Sequence, residues 1–197
     1  MSKKYLLKVE NLVCERDYKP IFNKLSFVLK PGNIILIDGN NGSGKTSLLL
    51  CVANVLSYTG YVHINNDISN LGYVGHKNAL CENETIEEFI TFWKKIYNFD
   101  KNHQTILESF NLGNFNNTPV GFLSFGQKKK LSFIRLIMMK AKIWLLDEPI
   151  SGLDKKTKKI IINHIKEHLT KGGGAIATSH QSFNHFDNNK TKRVNIG

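Results

Sequence analysis

The sequence predicts an α/β protein: a parallel sheet sandwiched by helices, joined by a small antiparallel β subdomain and a helical insert. Three observations carry this. Residues 34–37, 141–146 and 175–178 are short, mainly apolar runs separated by helical segments, the pattern of parallel strands buried on both faces. The run at 34–37 passes through a glycine-rich loop directly into a helix, as at ligand loops of open α/β sheets. Between Lys77 and Lys140 the spacing becomes helical, an insert between two core strands.

Taken in order, residues 8–12 and 25–29 alternate apolar and polar side chains as half-buried strands do, and Pro31-Gly32 turns the second into residues 33–38. These two antiparallel strands are expected to flank the strand that feeds the glycine loop. Residues 46–56 form the helix after that loop. Residues 61–64 make a strand bounded by Gly60 and the Asn65-Asn66-Asp67 turn, and residues 71–74 return to the core as another. Thr85 opens a capped helix running to Trp93, and residues 104–110 keep helical spacing. The stripe Phe89, Phe92 and Trp93 is read as the insert's own core. Residues 128–140 make a further helix, and the strand 141–146 ends at Asp147-Glu148. Residues 155–169 form a basic amphipathic helix with Ile161, Ile162, Ile165 and Leu169 inward, stopped by Gly172-Gly173-Gly174. Residues 175–178 are then the last core strand, delivering Ser179-His180 at its carboxyl end. The whole, 1–197, reads as one domain, with an α/β core at 1–75 and 141–197 and a helical subdomain at about 76–140.

Composition narrows the classes. An apolar fraction of 41% and a charged fraction of 22% are those of a soluble globular chain. No apolar stretch approaches a membrane span, since Asp38 ends even the run at 34–37, so a partner would have to supply any spans. The first eight residues have too little apolar length for a secretory signal, and the chain is expected in the cytosol. Cys14, Cys51 and Cys81 have no paired spacing, which fits a reducing compartment and offers no metal framework. The net charge of +11 comes from 24 lysines and only three arginines, alongside many Asn and Ile, a bias toward A·T-rich codons. The arginine and aromatic interleaving of a single-strand groove is missing, and nucleic acid is not expected as a partner.

The loop Gly39-Asn40-Asn41-Gly42-Ser43-Gly44-Lys45-Thr46, followed by Ser47, reads as a nucleoside triphosphate site. Its glycines let backbone N–H groups close around phosphate oxygens, and the helix start adds unpaired donors and the positive end of its dipole. Lys45 reaches the β- and γ-phosphates, and Thr46 offers its hydroxyl to Mg2+. Asp147, at the end of a buried strand, is the second metal residue. Glu148 is the general base that takes or orients the proton of the attacking water.

With Leu123-Ser124-Phe125-Gly126-Gln127 added, the chain resembles the ATP-binding-cassette family of ATPases, whose signature is Leu-Ser-Gly-Gly-Gln. The phosphate loop, this signature, residues 143–148 as the Walker B strand, Ser151-Gly152-Leu153-Asp154 as the D-loop and His180 as the switch histidine occur in the family's order. The resemblance implies ATP with Mg2+ and a head-to-tail homodimer. Each ATP then lies between one subunit's phosphate loop and the other's Ser124, Gly126 and Gln127, with Asp154 at the seam. Ser124, the Gly126 backbone and the helix start after them form a second anion site, suited to a partner's γ-phosphate. Two positions depart from the family. His76 stands where a glutamine usually ends the loop leaving the core, and Arg16 falls where an adenine-stacking aromatic is usual, with Tyr18 two residues on. An arginine plane can also stack on a base.

Residues 11–17, Ile21-Phe22 with Leu25-Ser26-Phe27, residues 42–49, residues 71–76 and residues 178–181 together resemble the ATPase subunits of bacterial cytochrome c maturation, or haem export, systems. That resemblance implies docking on integral membrane subunits at the cytoplasmic face of the bacterial inner membrane. It also implies a cycle that drives haem export or release of a haem-loaded periplasmic chaperone. No Cys-x-x-Cys-His motif is present, so no direct haem site is expected. The other readings are the ATPase of a lipid, drug or peptide exporter, and a soluble cassette protein acting on nucleic acid. The latter usually needs two cassettes or a long coiled insert, more than 197 residues hold.

Overall fold

The computed structural model describes residues 5–16, 18–65, 70–178 and 186–196. Its strands, in chain order, are β1 (Leu7–Val13), β2 (Glu15–Arg16), β3 (Lys19–Pro20), β4 (Leu25–Leu29), β5 (Ile34–Asp38), β6 (Thr59–Ile64), β7 (Leu71–Val74), β8 (Ile143–Leu146), β9 (Gly174–Thr178) and β10 (Thr191–Asn195). The α-helices are α1 (Lys45–Val52), α2 (Ile86–Ile96), α3 (His103–Ser109), α4 (Phe125–Met138) and α5 (Lys155–Thr170).

The central sheet runs β10-β5-β9-β8-β7 with every neighbouring pair parallel. Over its inner strands β5, β9 and β8 both faces are dry. Ile34 and Leu36 of β5, Trp144 and Leu146 of β8, and Ala175 and Ala177 of β9 face one apolar cluster, which they share with α2, α4 and α5. Ile35 and Ile37, Ile143 and Leu145, and Ile176 face the other, shared with α1 and the β subdomain. Two-sided burial is why these strands read as mainly apolar runs rather than alternating ones.

The second sheet, β4-β1-β6, is antiparallel. This corrects the expectation that residues 8–12 and 25–29 flank the strand before the glycine loop; β5 is flanked by β9 and β10 instead. The reason lies in the alternation itself. Strands with one wet face, as β1 and β4 are, cannot sit in a sheet buried on both sides, so they pair with each other and lay Leu7, Val9, Phe27 and Leu29 over the apolar face of the parallel sheet. Gly60 lies inside β6 rather than before it, at φ 94° and so close to Asn11 that a side chain would strike its carbonyl.

Residues 175–178 are not the last core strand. The chain returns as β10, an edge strand in register with β5 from Thr191 beside Ile34 to Asn195 beside Asp38. Its sequence, Thr-Lys-Arg-Val-Asn, lacks an apolar run because its outward positions are wet.

Between β7 and β8, α2 begins with a capping box in which Thr85 accepts from Glu88 N while Glu88 accepts from Thr85 N. The aromatic stripe splits. Phe89 is buried and Trp93 partly so, whereas Phe92 is 53% exposed, because a helix carries i and i+4 to one side and i+3 toward its edge. α5 buries Ile161, Ile162, Ile165 and Leu169 as its periodicity requires. Cys14 and Cys51 are buried and Cys81 is exposed.

Candidate nucleotide site

The chemistry-bearing loops leave the sheet at neighbouring carboxyl ends: the glycine loop after β5, His76 after β7, Asp147-Glu148 after β8 and Thr178 at the end of β9. α1 starts at Lys45 with Gly44 as its N-cap at φ 96°, and no side chain caps it, so its first-turn N–H groups are uncapped donors. A side chain at Gly44 would meet Ile21, and one at Gly39 would strike the Ile196 carbonyl and Ser43 Oγ. Only glycine allows that approach.

Lys45 is 6% exposed, and its Nζ donates to the carbonyls of Gly39 at 2.8 Å and Asn40 at 2.7 Å, curling over the loop from within. Ser43 Oγ is buried in the same loop without a hydrogen-bond partner. A buried ammonium, an unsatisfied hydroxyl and an uncapped helix start together make a cradle that an anion of phosphate size completes.

Thr46 and Asp147, 101 residues apart, meet. Thr46 Oγ1 donates to Asp147 Oδ2 at 2.9 Å, setting a hydroxyl and a carboxylate side by side, the hard oxygen donors that Mg2+ takes. These residues fit the ion. The other carboxylate oxygen, Oδ1, accepts from Thr178 Oγ1 at 2.7 Å, while Thr178 Oγ1 accepts from Glu148 N at 2.9 Å. One fully buried hydroxyl thus fixes both acidic residues. Glu148 has φ 48°, a left-handed conformation disfavoured for a side-chain-bearing residue, and the kind of strain that sites hold by over-determining it. His76 Nδ1 stands 3.9 Å from Glu148 Oε2. Burial, together with the Asp147 carboxylate, pushes the Tyr73 phenol up to about 12. It stays a neutral donor beside the acid.

A cleft of about 800 Å³ is lined by Arg16 and Ile21, by Asn41, Gly42 and residues 44–47 of the loop and helix start, and by Glu148 with Ser151. Arg16 lines it, and Tyr18, 100% exposed, does not. Ser124, Gly126, Gln127 and Asp154 are not among its lining residues. They gather instead where α4 and α5 begin. Ser124 and Gln127 form a capping box, Ser124 Oγ accepting from Gln127 N at 3.2 Å and Gln127 Oε1 from Ser124 N at 2.8 Å. Asp154 caps α5 through Thr157 N at 2.9 Å and Thr157 Oγ1 at 2.7 Å, bonds that hold its carboxyl below the usual range. A side chain at Gly126 would lie 3.8 Å from Asp154 Oδ2, so the two caps are neighbours. His180 lies outside the described residues.

Three contributors escaped the sequence reading. Thr178 was legible in principle: it is a hydroxyl at the carboxyl end of an apolar strand, and the pairing of Leu146 with Ala177 brings it level with Asp147. Tyr73 and Ile21 carried no local signal, because their relevance comes from what folds against them.

A family profile described as ABC transporter matches residues 22–151. The chain is 33% identical over 189 residues to the cytochrome c biogenesis ATP-binding export protein CcmA of Rhizobium etli, across 89% of this chain and 88% of that one. It is 35% identical over 187 residues to CcmA of Wolbachia pipientis, across 90% of each. Among solved structures, an ABC transporter ATP-binding protein from Pyrococcus furiosus matches with a TM-score of 0.82 over 96% of both chains at 21% identity, a likeness of fold.

Proposed function

This chain belongs to the ABC transporter family as an ATP-binding, ATP-hydrolysing subunit, and on that footing we propose that it powers a membrane complex of cytochrome c biogenesis. What carries the proposal is the likeness, over nearly the whole length of both chains, to proteins named for cytochrome c biogenesis export. The work done is haem export or release of a haem-loaded periplasmic chaperone. Integral membrane subunits provide the spans, since no helix among the described residues is long and apolar enough to cross a bilayer. The chain then sits at the cytoplasmic face of the bacterial inner membrane.

At the site, Lys45 and the amides from Gly42 to Ser47 hold the phosphates, and Arg16 with Ile21 receives the base. Thr46 and Asp147 hold Mg2+, which when bound offsets charge on the β- and γ-phosphates. Glu148 accepts the proton of the attacking water, with His76 and His180 orienting the γ-phosphate side. Ser124, Gly126 and Gln127 serve a second copy's nucleotide, a reading supported by their gathering at the start of α4 beside the Asp154 cap of α5 rather than at the phosphate loop. Two copies therefore enclose two ATP molecules, and loss of the γ-phosphate loosens the pair.

The test is to purify the chain from its native membranes and identify its companions by mass. Membrane subunits that handle haem are expected. Recovery of the spans of a lipid, drug or peptide exporter overturns the cargo while leaving the ATPase in place.

A further inference from the structure

Residues 75–82, which carry His76, are strapped to one side of α4, the helix that Ser124 caps. Lys129 Nζ donates to the carbonyls of Gly75 at 3.0 Å and His76 at 3.4 Å. Ser132 Oγ donates to Asn78 O at 3.1 Å, Arg135 Nη1 to Ala79 O at 3.3 Å, and Lys128 Nζ to Glu82 Oε1 at 2.9 Å. Positions 128, 132 and 135, with 129 beside them, share one helical stripe, so the segment is held along its length by a single rigid element.

Lys129 differs in depth from the other charged straps, Lys128 and Arg135, which are only half-buried. It is 1% exposed, with its ammonium 5.9 Å from the centre of the Phe125 ring. Lysines almost never lie so deep unless paired. Its two carbonyl acceptors flank the Cα of His76, whose ring faces Glu148, and the carboxylates of Asp147 and Glu148 are within its electrostatic reach. A cation on the signature helix is thus fastened to the backbone that aims His76.

We infer that Lys129 is a positioning residue: through the Gly75 and His76 carbonyls it makes the His76 segment follow α4, so that a partner's nucleotide engaging the Ser124 end sets the His76–Glu148 pair in the same chain. This rests on the proposed roles of Ser124 and Glu148. Neither the phosphate loop nor the cleft's lining includes Lys129, so its loss should disturb turnover and not nucleotide capture.

The experiment compares Lys129→Met, Lys129→Gln and Lys129→Arg in the complete membrane complex, reading kcat and KM for ATP and amide hydrogen exchange of residues 75–82. Lys129→Met is expected to lower kcat about 10- to 100-fold, the size of effect that misplacing a group near the chemistry produces. KM should stay near its starting value, and exchange at residues 75–82 should quicken. Arginine, which retains the charge and several donors, should restore both readouts. Should the Met chain fail to fold, Gln against Arg carries the comparison, and equal turnover in those two overturns the inference. Unchanged exchange at residues 75–82 also overturns it, whatever happens to kcat. A Glu148→Gln chain that keeps full turnover refutes the base assignment instead, and leaves the exchange result standing on its own.

Discussion

At the scale of single residues, the site depends on side chains that fix one another. Thr178 is the clearest case, donating to Asp147 and accepting from Glu148 N through one oxygen. Thr178→Val keeps the shape but leaves the Glu148 amide without its acceptor. A buried unsatisfied donor costs about 1–3 kcal/mol. We expect the melting temperature to fall by a few degrees per kcal/mol, and turnover to fall with it. A Val chain that melts and turns over as the parent does would show that Asp147 and Glu148 are held by something else. Glu148→Gln is expected to abolish turnover and leave ATP-bound dimers trapped, as read by phosphate release and sedimentation. Hydrolysis at the parent rate would remove Glu148 as the base.

At the scale of elements, helix starts do the binding and also have structural duties. Ser124 is at once a candidate ligand for a partner's phosphate and the N-cap of α4. A bulky replacement removes both roles together, and losing the cap alone costs about 1 kcal/mol. Ser124→Asp separates them, since aspartate caps as well as serine but brings a negative charge to an anion site. Expected is a chain that melts normally and binds ATP as a monomer, yet dimerises weakly on ATP; normal ATP-driven dimers would argue against the second anion site. α1 offers the contrast. It has no side-chain cap at all, which leaves its first turn available to a ligand.

At the scale of the molecule, stability carries a pH dependence set far from the nucleotide. His168 stacks on Trp144 with ring centroids 3.8 Å apart. Burial, with Lys142 and Lys171 nearby, holds its pKa down at about 4, against the backbone acceptors at Gly174 and Lys142 that favour its charged form. In the unfolded chain the imidazole titrates near ~6.5. As pH falls from that value toward 4, the unfolded state takes up the proton first, so stability is lost on acidification and is full above it. Denaturation at pH 7 and pH 5 should show this fall in the parent and a shallower one in His168→Gln. Equal slopes in the two chains would assign the effect elsewhere, His164 being another imidazole that burial holds low.

What the sequence by itself determined is local. The glycine loop, the strand that feeds it, the helix it opens, the cap at Thr85 and the apolar strands all follow from backbone freedom and periodicity within a few residues, whereas the helix expected from residue 128 begins at Phe125 under the Ser124 cap. Tertiary structure alone decided the partners: that β1 and β4 leave the central sheet, that β10 closes the edge beside β5, that Thr178 clamps Asp147 to Glu148, and that Lys129 fastens the His76 segment to α4. The physical reason is separation along the chain. A contact between residues tens or a hundred positions apart depends on which strands lie side by side and in what register, and no short window of sequence holds that.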